Sequence, residues 1–367
     1  MRLERAIPED ILAAVRAPFA AAGGIRAATA VAEPLGLYLD LAGEGLRERL
    51  FLVQGPGRED YCLRPDFTLG VALAHIAGGG AAGRYLYEGP AFRVAPPGTD
   101  RAEQFLQIGL EAYGAGDQAR EDAATVLLAW RSALAGGRDD LALVLGDVSL
   151  FGAFLDAIGL EPRHAARLQA ALARPWRLAR EMEPAAERPG GRLARLLQAS
   201  DETEAAKVLA EIWALAGVSP VGGRSPAEIV HRLSARGGGA ATLDPEQRSH
   251  IERYLDIAGE PREALARIAK LAAGKAFETV LRSWAQRLER LAEIATDRMV
   301  FRAAFARGFG YYDGFLFEVR SAALGEDLPV AAGGRYDSLP ARLGAAQSSG
   351  AVGCMVRPGR AWLGGGA

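Results

Sequence analysis

Between Arg84 and Gly114 the chain reads RYLYEGPAFRVAPPGTDRAEQFLQIGLEAYG, two runs of alternating character joined by a Gly/Pro-punctuated loop, Val94 to Glu103. The pattern predicts a pair of β-strands. Successive strand side chains point to opposite faces. In the second run Leu106, Ile108, Leu110 and Ala112 therefore share an apolar face that must pack on something. Phe105, Gln107, Gly109, Glu111 and Tyr113 share the other face, the glycine leaving room between an amide and a carboxylate. In the first run Tyr85, Tyr87, Ala91 and Arg93 lie together in the same way. Antiparallel pairing would place an Arg, a Gln, a Glu and a Tyr on one polar floor. Such a floor suits the solvated outer face of a sheet, or it suits a small zwitterionic ligand.

With 367 residues there is room for two or three domains and a large core. Half of the residues are hydrophobic and the formal net charge is −2, which predicts a soluble globular protein without a broad basic surface for nucleic acid. Cys62 and Cys354 stand far apart, and His75, His164, His231 and His250 are scattered, so no metal site is expected. The opening MRLERAIPEDILAAV carries charges where a signal peptide needs an apolar run, and no uncharged stretch approaches a membrane span. The expectation is a cytoplasmic protein with no membrane partner.

Taken in order, Pro8 to Ala22 has helical spacing (Ile11, Leu12, Val15, Phe19), closed by Gly23-Gly24. Phe51–Val53 and Tyr61–Leu63 read as strands around a Gly55-Pro56-Gly57 turn. Pro65 favours an extended Arg64, and Asp66 or Thr68 is placed to cap the helix that follows. Asp117 to Leu134 reads as a helix, Leu141 to Leu145 as a buried strand with another helix behind it. From about Glu161 to Ile294 the signal is helical, broken at Gly222-Gly223 and Gly237 to Gly239. It is clearest over Ala264 to Ile294, where Leu265, Ile268, Phe277, Leu281, Trp284 and Leu288 share a face. Strand patterns return at Phe315 to Arg320 and Val330 to Ala332, the latter ended by a Gly333-Gly334 turn.

Several of these stretches resemble the signature motifs of class II aminoacyl-tRNA synthetases, in the form carried by histidyl-tRNA synthetase and its paralogues. FRVAPPGTDRAEQFLQIGLEAYG resembles the second motif. GIRAATAVAEPLGLYLD is similar to the first, with Ala30 where the family has proline. LRPDFT resembles the element Leu-Arg-Pro-Glu-Gly-Thr, with Asp66 in place of Glu. Arg307-Gly308 with Tyr311-Tyr312, and Ala332 to Asp337, resemble elements peculiar to histidyl-tRNA synthetases, with Gly310 where they have Asp. The resemblance implies an α+β fold: a class II synthetase-like antiparallel sheet flanked by helices. That core would be discontinuous, 1–155 and 296–367, around a helical insertion over 156–295. It also implies a histidine pocket. Glu111 and Tyr312 would bond the imidazole nitrogens. Asp66, Thr68 and Gln107 would hold the α-amino group, Arg307 would lie near the carboxylate, and Arg93 would line the same pocket. Tyr311 and Tyr336 would wall the site, although the tyrosines suit ordinary sheet packing too. One carboxylate and one phenol can read both nitrogens of an imidazole.

The parts that would bind ATP depart from the synthetase pattern. Ala95 replaces the Glu that meets adenine, and Glu103 and Leu106 replace a loop Arg and a His. The third motif is AVGCMVRPGR, with Arg360 kept but Arg357, Pro358 and Gly359 in place of Gly, Leu and Glu. An Arg for Gly would crowd an adenine pocket. The chain stops at Ala367, where the synthetases continue into an anticodon-binding domain. A histidine-recognising fold without ATP chemistry is similar to the family of regulatory subunits of ATP phosphoribosyltransferase. That resemblance implies a non-catalytic subunit without cofactor, assembled with a short catalytic subunit, in that family as a hetero-octamer, and dimerising through its first motif. It would bind L-histidine as feedback effector and no tRNA. Two alternatives remain: an enzyme that activates histidine or another small amino acid for a non-tRNA acceptor, and a scaffold whose pocket binds nothing.

Overall fold

A computed structural model describes residues 1–42, 44–55, 60–183, 201–215, 225–227, 230, 243–308, 310–346 and 350–364. The turn expected at Gly55-Pro56-Gly57 and the glycine breaks at 222–223 and 237–239 fall wholly or partly outside them. Two compact units emerge, Met1–Gly159 with Ile251–Ala367, and Leu160–His250. In the smaller one, helices Pro162–Ala171, Pro175–Met182 and Glu202–Leu215 are described, with Ala205, Leu209 and Val230 forming an apolar cluster against Ala206 and Trp213.

The larger unit is built on a nine-stranded sheet. Its strands are β1 (Ile25–Arg26), β5 (Gly83–Phe92), β6 (Gln104–Tyr113), β7 (Leu141–Asp147), β8 (Ala258–Gly259), β9 (Met299–Arg302), β10 (Phe315–Ser321), β11 (Ala331–Arg335) and β12 (Ala351–Val356). They run in the order β1-β5-β6-β12-β11-β10-β7-β9-β8, antiparallel except for β1 on β5 and β7 on β9. A smaller antiparallel sheet holds β2 (Ala32–Pro34), β3 (Leu52–Gln54) and β4 (Asp60–Leu63) in the order β2-β4-β3.

The hairpin expectation holds in register. Tyr85 faces Glu111, Tyr87 faces Gly109 and Ala91 faces Phe105 across β5 and β6. What differs is the surroundings: this face is enclosed, with Gln107 0% and Glu111 1% exposed, so it is not the solvated outer side of a sheet.

Behind the sheet, Asp117 caps helix Gln118–Leu134 by accepting from the Arg120 N–H at 3.0 Å. Its buried stripe, Ala119, Ala123, Val126, Ala129, Trp130 and Ala133, has helical spacing and one charged member, Asp122. That carboxylate accepts from Arg287 Nε at 2.6 Å and Arg335 Nε at 3.0 Å, pinning this helix to helix Lys275–Arg290 and to β11. Asp147 caps helix Val148–Ala157 through the Ser149 and Leu150 N–H groups and also accepts from Trp284 Nε1 at 2.8 Å.

Two local expectations need correcting. The stretch from Ala264 to Ile294 is two helices, Pro261–Ala269 and Lys275–Arg290, the second starting after Gly274, while the apolar stripe continues across both. Gly333-Gly334 is no turn; both residues lie inside β11. A Cβ at Gly333 would sit 2.2 Å from the Gly353 carbonyl oxygen, so the glycine allows two strands to approach closely.

Candidate functional site

The site is assembled from β5, β6, β11 and β12, the start of helix Thr68–Ala77, and the loop before β10. Glu111 is its centre. One carboxylate oxygen accepts from Thr68 Oγ1 at 2.9 Å and from the Tyr87 hydroxyl at 3.3 Å, and the other accepts from the Tyr336 hydroxyl. Tyr87 lies flat on Phe67, ring centroids 4.5 Å apart, and reaches across Gly109, where a Cβ would meet its hydroxyl at 2.2 Å. Gly353 serves Glu111 in the same way: a Cβ there would stand 1.5 Å from the carboxylate.

Asp66, 5% exposed, accepts from the Tyr311 hydroxyl at 3.1 Å, while its other oxygen has no protein partner. The helix behind it starts after Phe67, whose side chain makes no cap; the Asp66 carboxylate is stabilised instead by the backbone N–H of Thr68 while it also reaches across the site to Tyr311. Both ends of the Gln107 amide are buried without a partner. Arg93 donates to the Pro65 carbonyl at 2.8 Å and favours the Asp66 charge. Arg307 pairs with Glu318 at 2.6 Å and lies 5.9 Å from the Tyr312 ring centroid. Tyr311, Tyr312 and Tyr336 pack on one another with centroids 4.7 to 6.2 Å apart.

The nine residues singled out in the sequence therefore gather around one spot, where several of them already bond to one another. Thr68 donates to Glu111, and the phenols on Glu111 are Tyr87 and Tyr336; Tyr312 packs edge-on against Tyr336. Tyr87 is visible on the correct face of β5, but nothing in the sequence distinguishes it from a tyrosine packed in a sheet. Gly353 stands only as the glycine of the third-motif stretch AVGCMVRPGR, with no role at this site attached to it.

Burial pushes the Glu111 carboxyl up to about 8, against the opposing bonds from Tyr336 and Thr68. Burial likewise raises Asp66, against the pull of Arg93. Two buried carboxyls with raised pKa values and an amide with no partner form a cage that a cationic or zwitterionic ligand would complete. Because Glu111 lies directly over Gly353, Gly353→Ala is expected to dislodge it at a cost of about 1–3 kcal/mol. Thermal unfolding measures the loss; an unchanged midpoint would show that the carboxylate does not lie there.

The sequence profile of the histidyl-tRNA synthetase family matches residues 6–221 and 227–358 of this chain. The ATP phosphoribosyltransferase regulatory subunit of Brucella anthropi is 35% identical over 340 residues, covering 88% of this chain and 89% of that protein. The chain belongs to the ATP phosphoribosyltransferase regulatory subunit family. The regulatory subunit of Brucella canis matches it at the same identity, over the same shares of the two chains. Among solved structures, an ATP phosphoribosyltransferase regulatory subunit/histidyl-tRNA synthetase from Bacillus halodurans superposes with a TM-score of 0.65 at 19% identity, covering 99% of this chain and 81% of that one. A histidine–tRNA ligase subunit from Alicyclobacillus acidocaldarius gives 0.56 at 20% identity, over 98% and 94%. The family thus shares the histidyl-tRNA synthetase-like class II fold. Among the described residues no helix is long and apolar enough to cross a membrane.

Proposed function

We propose that this chain is the non-catalytic regulatory subunit of an ATP phosphoribosyltransferase that acts in the first step of L-histidine biosynthesis. On this reading it joins a short catalytic subunit, is required for its activity, and lowers that activity when L-histidine fills the site around Glu111. The names of the curated relatives support the partnership. The observation that carries the effector is the cage itself: a buried Glu111 ringed by three hydroxyls, beside Asp66 and Gln107 with atoms left without partners. The Glu111 carboxylate suits an imidazolium, and Asp66 with Gln107 suits the α-ammonium group. Histidine would shift a two-state assembly by its difference in affinity for the two states. Self-dimerisation through the first motif and a hetero-octameric assembly belong to the same proposal.

The test is reconstitution. The chain is mixed with the short catalytic subunit from the same source, and phosphoribosyl transfer to ATP is assayed with and without histidine. Activity that needs this chain and falls with histidine is the expected result. Activity indifferent to histidine would remove the effector site, and absence of any association would overturn the partnership. The alternative, an amino-acid-activating enzyme, is disfavoured by the departures in the ATP-binding motifs, Ala95, Arg357 and Gly359; Arg357 is a buried side chain packed on Phe105, its guanidinium carbon 3.6 Å from the ring centroid. It predicts histidine-dependent exchange of pyrophosphate into ATP; the regulatory reading predicts none.

A further inference from the structure

A column of three stacked side chains reaches the Glu111 cage from outside it. Its base is Arg64, 5% exposed, which donates through Nε to the Pro90 carbonyl at 2.9 Å. Through Nη1 it donates to the carbonyls of Thr29 and Ala30 and to the Thr29 hydroxyl, at 3.1 to 3.3 Å. Its backbone is fixed as well: the N–H donates to the Val31 carbonyl at 2.9 Å, and the carbonyl accepts from the Phe92 N–H at 3.0 Å. The guanidinium is thereby held between the first-motif stretch and β5. Its carbon lies 4.0 Å from the Phe67 ring centroid, and Phe67 lies on Tyr87 with 10° between the ring planes. Gly89 of β5 leaves room for the column, since a Cβ there would stand 2.9 Å from Arg64 Nη2 and 3.1 Å from Phe67 Cζ. At the top, the Tyr87 hydroxyl has one proton and two acceptors at the same 3.3 Å, a Glu111 oxygen and the Cys354 carbonyl. A small shift of the ring decides which of them receives it.

We infer that Arg64 is a positioning residue for the Glu111 site: anchored on the first-motif stretch and on β5, it holds Phe67 and through that ring sets the Tyr87 hydroxyl on Glu111. A planar guanidinium can stack on an aromatic face while its N–H groups, lying in its own plane, donate to acceptors around its edge. A lysine ammonium keeps the charge but offers neither the flat face nor the fork. Once the column slips, the hydroxyl proton passes to the Cys354 carbonyl, and the Glu111 carboxylate loses one of the bonds that hold it in place for a cationic ligand. The inference deepens the histidine-binding reading and rests on it for the ligand measurement alone; the column is complete without a ligand.

Arg64→Lys, Tyr87→Phe and the double variant, each in the full chain, test this. In urea unfolding the two changes are expected to be non-additive. The unfolding constant of the double variant should rise about 10-fold less than the two single changes combined, the size of a hydrogen bond to a charged group. By calorimetry, histidine affinity is expected to fall about 10-fold in Arg64→Lys, but less than about 2-fold when the same change is made in Tyr87→Phe, which has no hydroxyl to misplace. Gly89→Ala crowds the column without removing any of its groups, and it repeats the cycle if Arg64→Lys does not fold. Additive unfolding losses, or an equal fall in histidine affinity in both backgrounds, would overturn the inference. No histidine heat from the wild-type chain would remove the effector reading instead, and the unfolding cycle would then decide on Arg64 by itself.

Discussion

Replacing Asp122 by alanine is expected to destabilise the folded chain by about 3–5 kcal/mol, the cost of leaving a buried charge without its partner. The reason lies in the ledger of three side chains. Asp122 is fully buried, and Arg287 and Arg335 around it are 6% and 5% exposed. Removing the carboxylate leaves two guanidinium groups out of water, with Arg335 retaining Asp337 at 2.9 Å. It also unties helix Gln118–Leu134 from helix Lys275–Arg290 and from β11 at one stroke. The comparison variant is Glu293→Ala. Its partner Arg131 is 55% exposed, so the loss should stay within about 1 kcal/mol. Urea unfolding of the two variants beside the wild-type chain measures the difference. Equal, small losses would mean that water reaches Asp122.

The second large effect concerns Glu111→Gln, an isosteric change that keeps the hydroxyl ring supplied with an acceptor. Histidine affinity, measured by calorimetry, is expected to fall about 100-fold or more, since a charge-assisted contact in a buried cage is lost. Stability without ligand should move the other way at alkaline pH. In the wild-type chain Glu111 has a folded pKa of about 8, above the ordinary carboxylate value near 4.5. A group raised in this way binds more protons folded than unfolded between those two values, so its contribution to stability is fully present below about 4.5 and is lost as pH rises through 8. Glu33, pushed up to about 7 by burial, slopes in the same direction. The variant should therefore lose less stability than wild type between pH 5 and 8, by a few kcal/mol, keeping the slope due to Glu33. Parallel profiles for the two chains would place Glu111 in contact with water.

Much of the candidate site was legible because strand alternation is a strict rule. Alternation puts Gln107, Gly109 and Glu111 on one face and Tyr85 and Tyr87 on one face of the neighbouring strand; the register that sets Tyr85 opposite Glu111 comes only with the structure. What stayed hidden was which partner each side chain would choose. Thr68, Asp66 and Tyr336 come from distant parts of the chain, and no spacing rule says that Thr68 turns to Glu111. Asp122 was hidden for a different reason. A lone Asp on a helix reads as a solvated residue, and only the return of Arg287 and Arg335 from far along the chain makes it a buried one. The pair Gly333-Gly334 misled because glycine marks both turns and places where backbones touch; choosing between them requires the neighbouring strand.

Gly353 lies opposite Glu111 on one side and opposite Gly334 on the other, across three adjacent strands. Where most binding sites are defined by the side chains they contain, this floor is defined by atoms that were never added. Its failure modes are therefore inverted: gaining a single methyl at Gly353 or Gly109 harms it as surely as losing a carboxylate. In a chain so rich in alanine, where glycine and alanine differ by one carbon, the most damaging drift at this site would look, in a comparison of sequences, like the mildest.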